Sequence, residues 1–235
     1  MALHSVDFSG VLAVDAPESE RSIFLKKTYL HLAGAVLAFI MIEGMLVRSE
    51  LGQTLMAAMF SSRFGWLIVL GGFMAVGALA NSWARSNRSP TMQYLGLALY
   101  VVGEAVVFLP LLYMAAYYSD PTVIPKAAIT TGIVFAGLTA TVLLTKRDFS
   151  FMGPALAVAG FGALALIVSS ILFGFNLGTL FTVVMVVVAA GYILYYTSNV
   201  LHHYAIGAHV AASLALFSAV ALLFWYVLRL FMGRR

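Results

Sequence analysis

The chain has 235 residues, of which 63% are hydrophobic and 9% charged, with a mean hydropathy of +1.00 and a formal net charge of +4. A water-soluble domain carries about a quarter charged residues, so this much apolar surface requires the bilayer as solvent. The basic residues fall singly or in pairs at the ends of apolar runs, which fits the positive-inside rule and not a nucleic-acid interface. With no cysteine, disulfides, thiolate catalysis and cysteine-ligated metals are excluded.

The first twenty residues hold Asp7, Asp15, Glu18 and Glu20 and lack the basic start of a signal peptide. Residues 1–25 therefore read as a flexible N-terminal tail, and 26–235 as one transmembrane domain. A spanning helix needs about 20 mostly apolar residues. Seven stretches qualify: 28–47, 64–84, 94–117, 126–144, 152–174, 178–201 and 208–231. They are too long and uninterrupted for strands, so the expected fold is all-α, a polytopic seven-helix bundle. Between the first two spans, Leu51, Leu55 and Met59 recur every fourth residue, which suits either a short interfacial helix or a loop. Pro110 falls late in the third span and Pro125 at the start of the fourth. "GFNLG", Gly174 to Gly178, reads as a tight connection between the fifth and sixth. The basic residues divide almost evenly between the two sides, and the loops nearest the first span favour a cytoplasmic N-terminus.

Ionisable groups inside a span are costly, so each is a candidate site. Glu104 lies midway along the third span and Glu43 near the far end of the first. Each is read either as an ion or proton site facing the bundle interior or as a protonated carboxyl bonded to a neighbouring helix. Helix rise separates them in depth by about 8–10 Å. In "ILYYTSNVLHHY", residues 193–204, the residues Tyr196, Asn199 and His203 share one helical stripe with Tyr192. His202 and His203 are adjacent and point about 100° apart. A metal site would need His31 or His209 to converge with one of them, and there is no HExxH spacing; nor is there a GxSxG. No catalytic residue, metal ligand or cofactor is assigned, and no enzyme activity is expected.

The stretch "TKRDFSFMGPALAVAG", Thr145 to Gly160, sets a basic pair, an acid and alternating aromatics before Met-Gly at the mouth of a helix. This element resembles the signature of the Bax inhibitor-1/YccA family. "FLKKTYLHLAGAVLAF", "LALYVVGEAVVFLPLLYMAAY" and "ILYYTSNVLHHY" resemble that family's first, third and sixth spans, the last nearest the bacterial YccA branch. In physical terms, Lys146 and Arg147 hold the loop at the cytoplasmic face, and Asp148 or Ser150 caps the fifth span.

The resemblance implies a seven-helix bundle around a central last helix, in a bacterial inner membrane. It also implies one of two activities. YccA-type members modulate a membrane-bound FtsH-type AAA protease, which engages their N-terminal tail. Other members are pH-sensitive calcium leak channels gated by two acids on the last two spans. Here Tyr196 stands immediately before Thr197 where the first acid would be, and Ser213, Phe217, Ser218 and Ala219 occupy the region of the second. Calcium takes several oxygen ligands, carboxylates commonly among them. The sequence therefore favours a stress-protective modulator of membrane-protein quality control over the channel. Should a pore remain, Glu104 would be its intramembrane acid, with His202, His203 or His209 near the mouth.

Overall fold

A computed structural model describes residues 10–62, 64–86 and 89–233. The N-terminal nine residues, Arg63, Arg88, Arg234 and Arg235, all of which entered the sequence reading, lie outside the described residues. Among the described residues the chain forms eight α-helices and one 3₁₀ turn, with no strand. They are α1 (Glu18–Leu46), α2 (Glu50–Phe60), α3 (Gly65–Ala84), α4 (Pro90–Tyr118), α5 (Val123–Thr145), the 3₁₀ turn Ser150–Met152, α6 (Gly153–Phe173), α7 (Gly178–His202) and α8 (His209–Met232). All but α2 are long and apolar enough to cross a membrane.

The boundaries follow local chemistry. Pro90 opens α4, where its missing N–H would have no partner in any case. Lys146 ends α5 in the left-handed conformation (φ 51°), its N–H donating to the Val142 carbonyl, and Gly174 ends α6 the same way (φ 75°). Helix α4 continues through Pro110 to Tyr118. The segment after α1 is a helix and not a loop: Ser49 Oγ caps α2 by accepting from the Gly52 N–H at 3.0 Å. Gly52 sits so tightly over α1 that an added Cβ would lie 1.9 Å from the Leu46 carbonyl oxygen.

Helix α1 begins at Glu18, ten residues before the apolar run does. Its first turns carry Glu18, Glu20, Arg21, Lys26 and Lys27, yet they bury Phe24 and Thr28 completely. Hydropathy locates where a helix enters the lipid, whereas the helix itself starts where its first side chain is packed. Ahead of it, the Ala13 N–H donates to the Tyr204 carbonyl and the Ile206 N–H to the Val11 carbonyl, both at 2.9 Å. Residues 11–13 thus run antiparallel to the α7–α8 turn, with Ala13 fully buried.

The core is α8. It packs against α1, α3, α4, α5 and α7, and 72% of its spanning window is buried, against 11% for α3 and for the α6 span. Its aromatic residues interlock with those of α1 and α4. Phe108 meets Phe39 and Trp225 edge-on at 5.0 and 4.9 Å between centroids, and stacks on Phe224 at 5.8 Å. Phe217 fits between Phe39 and Tyr100. Helices α3 and α4 approach closely at Gly96, where a Cβ would lie 2.6 Å from the Ala80 carbonyl oxygen and 2.7 Å from the Ala84 nitrogen.

Because those neighbours are backbone atoms, they cannot move aside as a side-chain tip would. Gly96→Leu is expected to destabilise the bundle by about 1–3 kcal/mol. Thermal unfolding in detergent checks this, with Gly132→Leu, where nothing lies within 4 Å of an added Cβ, as the neutral control.

Candidate functional site

Polar groups collect in three places. The first is at the membrane surface, where the element KRDFSFMGP meets the end of α7. Asp148 Oδ1 accepts from the Ser150 N–H at 2.8 Å and from Ser198 Oγ at 3.1 Å. Ser198 Oγ in turn accepts the Phe149 N–H at 2.7 Å. His203 Nε2 donates to Asp148 Oδ2 at 3.1 Å. Lys146 and Arg147 are exposed beside this knot. Asp148, one residue before the N-cap Phe149, therefore holds the first N–H of the 3₁₀ turn that leads into α6, and does not cap α6 itself, whose first residue follows Met152 with no side-chain cap. The Ser150 side chain is not its cap either; its backbone N–H is what Asp148 holds.

Three of the four stripe residues of α7 face this region. Tyr192 donates to the Leu156 carbonyl of α6 at 2.8 Å and stacks on Tyr196 at 5.7 Å between centroids, and His203 closes the stripe on Asp148. Asn199 contributes its backbone carbonyl, which accepts from the N–H groups of His203 and Tyr204 and ends the helix. Ser198 carries more of the contact than any residue of the stripe. Its position just before the last helical turn gave no hint of this, because its partners lie about 50 residues away in sequence.

The second place is the bundle centre. Glu104 is 7% exposed and Glu43 is 4% exposed. Neither oxygen of Glu43 has a hydrogen-bond partner, and Oε2 of Glu104 has none. A space of about 380 Å³ reaches Glu104 from the side of the α6–α7 turn, and neither Glu43 nor Tyr196 lines it. Tyr100, on the same helix as Glu104, lies near Tyr196 and Ser218 and packs edge-on against Phe217 at 6.1 Å between centroids. Tyr100 and Ser218 were not singled out from sequence, since one tyrosine and one serine in apolar helices carry no distinguishing signal. A further hydroxyl cluster brings Tyr29 of α1 to Thr139 of α5 and Thr197 of α7.

The third place joins His31 with His209, and neither of them with His202 or His203. His31 Nδ1 lies 2.7 Å from the Lys27 carbonyl oxygen, so it carries the proton and donates there. Nε2 then accepts from the Tyr94 hydroxyl at 3.2 Å. The ring of His209 packs at 4.9 Å from that of His31. His31 and His209 converge on each other, while His202 donates from Nδ1 to the Ser198 carbonyl within its own helix. Among the described residues, no three His, Asp or Glu side chains group closely enough to hold a metal ion.

The surface knot has a pH dependence with a defined sign. The Ser150 backbone N–H, followed by the side chains of Ser150, Ser198 and His203, holds the Asp148 carboxyl down at about 2, below its ordinary 3.8. A depressed acid contributes stability that is fully present above the ordinary value and is lost as pH falls through about 2. Melting curves should therefore be flat in this contribution above about pH 4 and fall between pH 4 and 2. In Asp148→Asn that acid limb should be absent. Ser198→Ala, which leaves the Phe149 N–H without its acceptor, should cost about 1–2 kcal/mol at neutral pH by the same measurement.

A search of curated proteins finds no match. The family model described as "Inhibitor of apoptosis-promoting Bax1" matches residues 21–235, from the first turn of α1 onward. Together with the central α8 and the KRDFSFMGP knot, that match shows that the chain belongs to the Bax inhibitor-1/YccA family.

Proposed function

We propose that this multi-pass membrane protein is a stress-protective modulator of membrane-protein quality control. It acts in a bacterial inner membrane with an FtsH-type AAA protease and has no enzymatic activity of its own. Its N-terminus lies on the cytoplasmic side, with Lys26, Lys27, Arg85, Lys146 and Arg147. Family membership supports the reading. The observation that carries it is the way residues 11–13 are attached. They lie at the same membrane face as the basic α5–α6 loop, fastened by two main-chain hydrogen bonds and the small side chain of Ala13. Main-chain bonds of this kind contribute about 0.5–1.5 kcal/mol each, so the segment peels from the body at low cost and without unfolding α1. A threading protease requires such a handle.

A second reading, a leak for calcium or another cation, is supported by the buried Glu104 and Tyr100 with the half-buried Ser218 and Tyr196 near Tyr100. It lacks the paired acids of the channel members. A tyrosine ionises near pH 10 and cannot take the place of a carboxylate sensor near neutrality.

Turnover of the purified protein by the protease, in lipid, tests the first reading. Deleting residues 2–16, which spares α1, should slow degradation several-fold and abolish copurification. Ala13→Asp, which places a charge in a fully buried position, should free the segment and speed it. Equal turnover of all three proteins overturns the reading. For the second, calcium flux into liposomes at pH 6 to 8 should depend on Glu104, with Glu104→Gln changing the rate. Absence of flux across that range overturns it.

A further inference from the structure

The space beside Glu104 arises from how α6 is held. Helix α6 packs chiefly on α7 and the 3₁₀ turn before it, which leaves a gap between α6 and the group α3, α4 and α8. That gap, of about 380 Å³, is walled by Trp66 and Phe73 of α3, Phe108 of α4, and Trp225 and Tyr226 of α8. Trp66 and Trp225 stack with centroids 6.4 Å apart and planes at 21°. At the inner end is Glu104, 93% buried on its 7% exposure, with Oε2 unpartnered.

Arg229 is at the other end. The rings of Phe108 and Trp225 meet at 4.9 Å between centroids and serve as a common reference level. With α4 and α8 running the same way, Glu104 lies one turn to one side of that level and Arg229 one turn to the other, about 12 Å apart along the axis. Arg229 is exposed at the rim, so water screens it from the acid.

An isolated carboxylate in an apolar interior is costly until a cation or a proton relieves it. Two kinds of cation present themselves, and the lining discriminates between them. A hard divalent ion takes six to eight oxygens. Besides Glu104, only Ser170, Asn176 and the Tyr226 hydroxyl offer side-chain oxygens here. An organic ammonium needs one carboxylate for its charge and aromatic faces for its body, and such faces attract cations by about 0.5–2 kcal/mol each. Arg229 at the rim further disfavours a double positive charge relative to a single one.

We propose that this cavity binds a monovalent organic ammonium ion with an apolar body, its charged head against Glu104 and its body against the Trp66–Trp225 pair. The site is separate from the N-terminal segment, so it stands or falls independently of the first reading; it shares Glu104 with the cation-leak reading, and the aromatic body and the calcium competition below tell the two apart.

Isothermal titration of benzyltrimethylammonium into the full-length protein in lipid nanodiscs tests it. Saturable one-to-one binding is expected. Glu104→Gln should weaken it by at least about tenfold, as loss of one member of a buried charge pair does. Trp66→Leu should weaken it too. Arg229→Gln, which removes a screened repulsion, should tighten it by about twofold, a gain that misfolding cannot produce. Neopentylbenzene, the uncharged isostere, should not bind measurably. Equal binding of the isostere overturns the proposal, as does unchanged affinity in both Glu104→Gln and Arg229→Gln. Displacement of the probe by calcium at lower concentration than by a second organic ammonium also overturns it, and would then favour the cation-leak reading.

Discussion

The bundle depends on the fit of α8 within the surrounding helices. In lipid the apolar effect gives little reason for one apolar helix to prefer another over the acyl chains, so close packing must do it. Phe217, Phe224 and Trp225 supply that packing by meeting Phe39, Tyr100 and Phe108 in edge-on and stacked pairs. Where a ring would be too large, a small residue lets backbones approach, as Gly96 does between α3 and α4. A helix so enclosed has few positions for polar groups. The hydroxyls of Ser213 and Ser218 bond back to their own helix, at the Val210 and Ala215 carbonyls.

Two consequences follow from that arrangement. Helices near α8 are tied together, and polar side chains brought between them are shut off from water, as Glu43, Glu104, Thr139 and Thr197 are. Helix α6 stands outside the tie. It is held at its start by the Asp148 knot and along its length by α7, including the Tyr192 hydroxyl on the Leu156 carbonyl. The cavity at Glu104 is the space this leaves. The family motif and the buried acid, far apart in sequence, are thus joined by one structural fact: the motif anchors the helix whose displacement opens the cavity.

The surface knot shows why this loop sequence has its pattern. Lys146 adopts the left-handed turn that stops α5, Asp148 gathers three donors, and Phe149 gives its N–H to Ser198. Each of these roles needs a particular residue or a free backbone N–H at one position, and none of them is catalytic.

Composition and the length of the apolar runs were enough to determine the solvent, the seven spans and the all-α class, because lipid allows a single-chain hydrophobic run only one economical backbone form. Motif order was enough for the family. Near-surface residues such as Asp148 and His203 were legible as candidates because polarity stands out against an apolar background. Sequence could not determine which of those residues meet. The pairing of His31 with His209, the contact of Ser198 with Asp148, and the nearness of Tyr100 to Tyr196 join residues 50 to 178 positions apart, on helices whose rotation no local pattern records. The early start of α1 belongs to the same class. Phe24 is buried by tertiary neighbours, and hydropathy, which sees only the partition between water and lipid, ends at the membrane surface. Local chemistry decided what each segment is; three-dimensional packing decided what each polar side chain faces.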